Sequence, residues 1–162
     1  MNRLPANAPD NTGAAFAHIN AVTAPTIDDL KLMVYLEASG LTAYEELAAS
    51  APNAAIAELL RANGREEMAH AHRLSKVIKQ LTGEDFPPPD AAENPYAGPS
   101  GRGVDRAMLE FLVQAENNGN DLYETWALNT ADATAAALLR QNGKEEIRHG
   151  ERAAEAIALL DA

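Results

Sequence analysis

A chain of 162 residues with a formal charge of −11 and no cysteine is long enough to bury a substantial core, yet it has no disulfide, thiolate metal site or cysteine nucleophile. The acidic balance excludes a nucleic-acid backbone as partner, because phosphate binding depends on clustered Lys and Arg displacing counterions. No apolar run is long enough to span a membrane and the N-terminus carries no continuous apolar signal core, so a soluble, cytoplasmic protein is expected.

Residues 1–25 are punctuated by Pro5, Pro9 and Pro25, with only Phe16, Ile19 and Val22 in weak apolar spacing. They are expected to form a flexible, surface-draped arm ahead of a helical domain at residues 26–162. Thr26-x-x-Asp29 resembles a capping box with Asp in place of Glu, which predicts a first helix from Thr26 to about Ala49. Its inward stripe is Leu30, Val34, Glu37, Leu41, Tyr44 and Ala48. Pro52 or Asn53 starts a second, antiparallel helix that Gly83 ends. Along that helix Glu67 and His70 occupy positions where the pattern of Ile56, Leu60, Leu74 and Val77 otherwise demands apolar residues.

Five prolines and four glycines between residues 83 and 103 exclude a continuing helix and mark a long connection. A loop of that length fits a crossover running along a bundle. A third helix is predicted at about 105–129 with the stripe Leu109, Leu112, Glu116, Gly119, Tyr123 and Ala127. A fourth follows at about 133–160 with Leu139, Asn142, Glu146, His149, Ala153 and Ile157.

The third and fourth helices repeat the first and second. At a constant offset of 79, residues 30–81 match residues 109–160 without a gap, with 20 identities in 52 positions. The matches pair Glu37 with Glu116, Gly40 with Gly119, Tyr44 with Tyr123, Asn63-Gly64 with Asn142-Gly143, Glu67 with Glu146, His70 with His149 and Arg73 with Arg152. The fold expected is all-α: an antiparallel four-helix bundle of two duplicated hairpins joined by a long crossover. Because residues three apart share a helix face, a pseudo-twofold bundle would gather four carboxylates and two imidazoles, the donor set of di-iron and di-manganese carboxylate centres.

Four carboxylates in a low-dielectric interior cannot all ionise unaided, and two divalent cations would remove that conflict. Symmetry assigns Glu67 and Glu146 as bridges, Glu37 and Glu116 as terminal carboxylates, and His70 and His149 as one nitrogen ligand per metal. Gly40 and Gly119, costly inside helices, suggest a pocket that a side chain would block. Asn63-Gly64 and Asn142-Gly143 fit either a π-bulge or close helix packing. Arg73 and Arg152 are read as solvated or paired with nearby acids, and Glu45, Glu66, Glu124 and Glu145 as surface charges; His18 and His72 have no partner in the repeat.

These motifs resemble the ferritin-like di-iron proteins, and among them the rubrerythrin branch, over residues 26–160. The resemblance implies that Tyr44 and Tyr123 hydrogen-bond carboxylate ligands. It also implies a di-iron centre, with manganese as the alternative, that reacts with hydrogen peroxide or dioxygen and takes electrons from an external donor. A homodimer is expected from the same resemblance, with Leu36, Trp126 and Leu128 as leftover apolar residues. Two features depart from the rubrerythrin pattern. Gly119 stands where a further carboxylate is usual, which likens the site to the symmetric centre of bacterioferritins, and a Cys-free chain cannot hold the Cys-ligated iron of rubrerythrins. Other functions that fit the donor set are iron oxidation and handling, a di-manganese catalase, and a bundle that metal only staples.

Overall fold

In a computed structural model that describes residues 3–161, five α-helices form: α1 (Thr12–Ala21), α2 (Ile27–Ala49), α3 (Ala54–Thr82), α4 (Arg106–Leu128) and α5 (Ala133–Leu160). A single 3-10 turn lies at Ala91–Glu93, and no strand occurs among the described residues. Residues 1, 2 and 162, the outer ends of the expected arm and helical domain, lie outside the described residues. Among the described residues no helix is long and apolar enough to cross a membrane.

Local signals set the helix ends. Thr26 caps α2 in the expected box, its hydroxyl accepting from Asp29 N while the Asp29 carboxylate accepts from Thr26 N; losing such a cap typically costs about 1 kcal/mol. Asn53, Asp105 and Asp132 cap α3, α4 and α5 through their side chains. Gly83 closes α3 at φ 77°, a left-handed conformation that glycine adopts without strain.

α2 pairs with α3, α4 pairs with α5, and the two hairpins meet chiefly through α3 and α5. The crossover runs the length of α2. Glu84 pairs with Lys31 near the start of α2, and Asn94 donates to Tyr35 O at 2.8 Å. Further along, the Glu46 carboxylate accepts from the Ser100 and Gly101 amides, and Ser50 Oγ accepts from Val104 N near the end of α2. This path delivers α4 to the far end of the bundle, antiparallel to α2, and Phe86 and Tyr96 are buried along it.

The N-terminal segment differs from expectation. Rather than a flexible arm, residues 12–21 form α1, capped by Asn11, with Ala15 and Ile19 wholly buried against the first half of α2. Of the three weakly spaced apolar residues, Phe16 is exposed; Ile19 with partly buried Val22 is enough here because α2 presents apolar groups on its outer side as well. Leu30, Leu32, Met33, Val34, Tyr35 and Leu36 are buried in succession, which a helix with only one inward stripe would not show. Of the residues expected to be left over for a dimer, Leu36 and Trp126 are core residues, at 1% and 0% exposed, and only Leu128 stays on the surface. Trp126 donates from its indole to Val22 O, so the segment after α1 completes its burial.

Candidate metal centre

Glu37 comes from α2, Glu67 and His70 from α3, Glu116 from α4, and Glu146 and His149 from α5; all six side chains are buried. The structure brings them together at mid-bundle. His70 Nδ1 lies 3.2 Å from Glu146 Oε1, 3.6 Å from Glu67 Oε2 and 3.6 Å from Glu37 Oε2. His149 Nδ1 lies 3.2 Å from Glu67 Oε1, 3.2 Å from Glu146 Oε2 and 3.7 Å from Glu116 Oε2. Glu67 and Glu146 thus each turn one oxygen toward each imidazole, while Glu37 and Glu116 each approach one only. The two rings stack at 5.1 Å with 15° between their planes.

The far side of each imidazole is held by the opposite half of the repeat. His70 Nε2 lies 3.1 Å from Glu145 Oε2, and His149 Nε2 lies 3.1 Å from Glu66 Oε2. Arg73 grips Glu145 and Arg152 grips Glu66, each through two hydrogen bonds. An Nε2–H donated to a carboxylate turns Nδ1 toward the cluster, where it can exchange its proton for a metal ion. Glu66 and Glu145 are therefore not the surface charges expected from the helical stripe. The available signal was their identity in the repeat, immediately before each Glu-x-x-His. His18 also has a partner, Asp29 at 2.7 Å, far from the cluster.

Tyr44 donates to Glu116 and Tyr123 to Glu37, so each tyrosine reaches the carboxylate of the other hairpin. Asn63 donates to Tyr44 Oη and to His149 O, and Asn142 donates to His70 O. Arg152 and Arg73 donate in turn to the Asn63 and Asn142 side-chain oxygens. The Asn-Gly pairs sit in unbroken α-helix rather than π-bulges, and a Cβ on Gly64 would come within 2.9 Å of Tyr44 Cβ. Gly40 and Gly119 make room for the shared carboxylates: a Cβ would fall 2.7 Å from Glu67 Cγ at the first and 3.3 Å from Glu146 Cγ at the second.

Burial dominates the electrostatics. It pushes Glu37 well above the usual carboxylate range, reinforced by the charge of Glu67, and it lifts Glu116 to about 8 with help from Glu67 and Glu146. Burial also opposes ionisation of Glu67 and Glu146, but the two histidines outweigh it and hold both low. For His149 burial disfavours the cation, yet Glu116, Glu146 and Glu67 raise the ring to about 12; His70 is raised in the same way. Tyr44 and Tyr123 stay neutral, raised by burial and by the carboxylates they touch.

The donor set fits a pair of metal ions. Despite their short separations from carboxylates, His70 Nδ1, His149 Nδ1 and Glu146 Oε2 are buried without a well-formed hydrogen bond, an arrangement that costs free energy unless positive charge, a proton on each ring or a metal ion, sits between them. One donor atom from each of Glu67, His70, Glu146 and His149 lies within 4.8 Å of the others. The rubrerythrin family model matches residues 29–157. The chain belongs to the rubrerythrin family. No curated protein and no solved structure shows a significant match. Beside Gly119 on α4 the space is taken by the Glu146 side chain.

Proposed function

We propose that Glu37, Glu67, His70, Glu116, Glu146 and His149 hold two iron ions, and that the chain is a peroxidase-type oxidoreductase acting on hydrogen peroxide. The observation that carries this reading is the pair of orphaned imidazole nitrogens, each ringed by three carboxylate oxygens, with two of the carboxylates shared. Two adjacent ferrous ions supply two electrons together, the number needed to cleave the O–O bond of hydrogen peroxide and, with two protons, yield two waters. Electrons for the next turnover come from a separate donor, since a chain without cysteine has no second iron site of the Cys-ligated kind.

The surrounding residues have definite tasks in this reading. Glu66 and Glu145 fix the histidine tautomer through Nε2, so that Nδ1 stays unprotonated when metal is bound. Tyr44 and Tyr123 hold their protons at Oη and orient Glu116 and Glu37. Burial of all six donors excludes bulk water. A cytoplasmic location and a homodimer belong to the same proposal, with Leu128 at the C-terminal end of α4 the expected apolar residue that stays exposed; light scattering tests the dimer.

A second reading, oxidation and handling of iron by dioxygen, is favoured by one observation: Gly119 leaves the site with the same donors from each half. Stopped-flow oxidation of the anaerobic di-ferrous protein separates the two. Hydrogen peroxide reacting at least about tenfold faster than dioxygen supports the peroxidase. Comparable rates with turnover of added ferrous iron support iron oxidation, and an unchanged oxidation state with both oxidants rejects redox function.

A further inference from the structure

The two halves of the site match in donors but not in what covers them. The α2 residues around Glu37 pack in one cluster with Ala15 and Ile19 of α1 and Phe86 and Tyr96 of the crossover, and Tyr35, Ala38 and Ser39 are all buried. Their repeat counterparts beside Glu116 on α4 are Gln114, Asn117 and Asn118, and all three are exposed. The side chains follow suit, with Glu37 4% exposed and Glu116 11%. Among the described residues the duplication includes only one long connection, and what reaches α4 is the end of α1 and the turn after it, which meet Trp126 beyond Glu116.

On the α3–α5 side both positions are backed by the same kind of ion pair, but the pair behind His149 is the more open, with Glu66 and Arg152 26% and 24% exposed against 15% and 13% for Glu145 and Arg73. Glu145 backs His70, Glu66 backs His149, and Arg148 reaches both carboxylates, at 3.4 Å from Glu66 and 3.6 Å from Glu145. Both sides therefore leave the Glu116–His149 position the more open, and the wider difference lies on the α2–α4 side, where buried Tyr35, Ala38 and Ser39 stand against exposed Gln114, Asn117 and Asn118. A polar, solvent-facing helix surface carrying Asp121 in a protein of charge −11 also favours the approach of a cation.

We infer that the metal position formed by Glu116 and His149 exchanges its ion with solvent across the face of α4, whereas the position formed by Glu37 and His70 is sealed beneath α1 and the crossover. The inference rests on the reading of the six residues as ligands. It assigns the N-terminal helix a function: a cap that makes one of two chemically matched positions slow to release its metal. Exchange needs only local movement of α4, which has water on its outer side, while the sealed position requires α1 or the crossover to lift from a buried apolar contact.

The test is release of cobalt(II) from the full-length chain to excess EDTA, followed by the loss of cobalt absorbance. Two cobalt ions should bind and leave in two phases differing by at least about tenfold in rate. His149→Ala should abolish the fast phase and His70→Ala the slow one. Ile19→Ala, which loosens α1, should accelerate the slow phase at least about threefold and leave the fast phase within about twofold. Release of both ions at one rate, or the reverse assignment of the phases, overturns the inference while leaving the ligand set intact. Failure to bind cobalt at all overturns the ligand set itself. Should Ile19→Ala not fold by circular dichroism, the wild-type and histidine-variant phases decide the matter alone.

Discussion

Filling the site with two divalent metals should expel about four protons per chain near pH 7. In the metal-free cluster the charges must balance internally. Glu67 and Glu146 are held ionised by the imidazoles, His70 and His149 are held as cations, and Glu37 and Glu116 are pushed towards the neutral acid by burial. With Glu116 at about 8, roughly nine-tenths of it is protonated at pH 7. Two divalent cations meet four ionised carboxylates only if both imidazoles and both carboxylic acids lose their protons, which gives the sum of about four. Calorimetric titration of cobalt(II) in buffers of different ionisation enthalpy measures that number directly. The release should fall to about three at pH 9, where Glu116 is mostly ionised beforehand, and Glu116→Gln should remove one proton at pH 7. Release of about one proton or fewer per chain would refute the charge balance, and with it the view that protons hold the place of the metals.

The same shifts set the stability of the two forms. Glu116, raised from 4.5 to about 8, stabilises the metal-free fold below pH 4.5 and loses that contribution as pH rises to 8, while metal binding strengthens; the melting-temperature gap between loaded and metal-free protein should therefore widen from pH 6 to pH 8 in scanning calorimetry. Glu66→Ala should lower the affinity of the His149 position by about 10- to 100-fold, read by metal titration, because His149 loses the acceptor that fixes its tautomer and Arg152 loses its partner. Gly40→Ala should weaken metal binding more than Gly119→Ala, since the new Cβ meets Glu67 Cγ at 2.7 Å but Glu146 Cγ at 3.3 Å; equal effects in the same titration would contradict the packing argument. Trp126→Ala should destabilise the fold by about 3–5 kcal/mol in urea denaturation, as it empties a wholly buried site and leaves Val22 O without its donor.

Much of this architecture was legible in the chain itself. Thr26, Asn53, Asp105 and Asp132 mark helix starts and Gly83 marks a stop, because capping depends on residues within one turn of one another. The Glu-x-x-His pairs stood out since charged residues interrupted apolar stripes of helical period, and the offset of 79 brought both sets into register. The connection at residues 83–103 could be recognised as a crossover from its prolines and from the inability of either hairpin to bury its stripe alone.

What lay beyond one helix face was not legible. Ile19 and Ala15 are too sparse to announce a buried helix, and they are buried only because α2 offers a second apolar side that the N-terminal segment folds back to meet. Trp126 and Leu36 look like surplus apolar residues until the neighbouring elements cover them. Glu66 and Glu145 fall off their own helices' inward stripe, yet each contacts a histidine of the opposite hairpin, 83 and 75 residues away in the chain. Helical period and capping are short-range, and so α2 to α5, the face each turns inward and the donors on that face could be read along the chain, whereas α1 could not. Contacts across the pseudo-twofold axis depend on how finished helices pack, and so the tertiary structure alone decided which tyrosine serves which carboxylate, what stands behind each imidazole, and that only one of the two matched positions is capped.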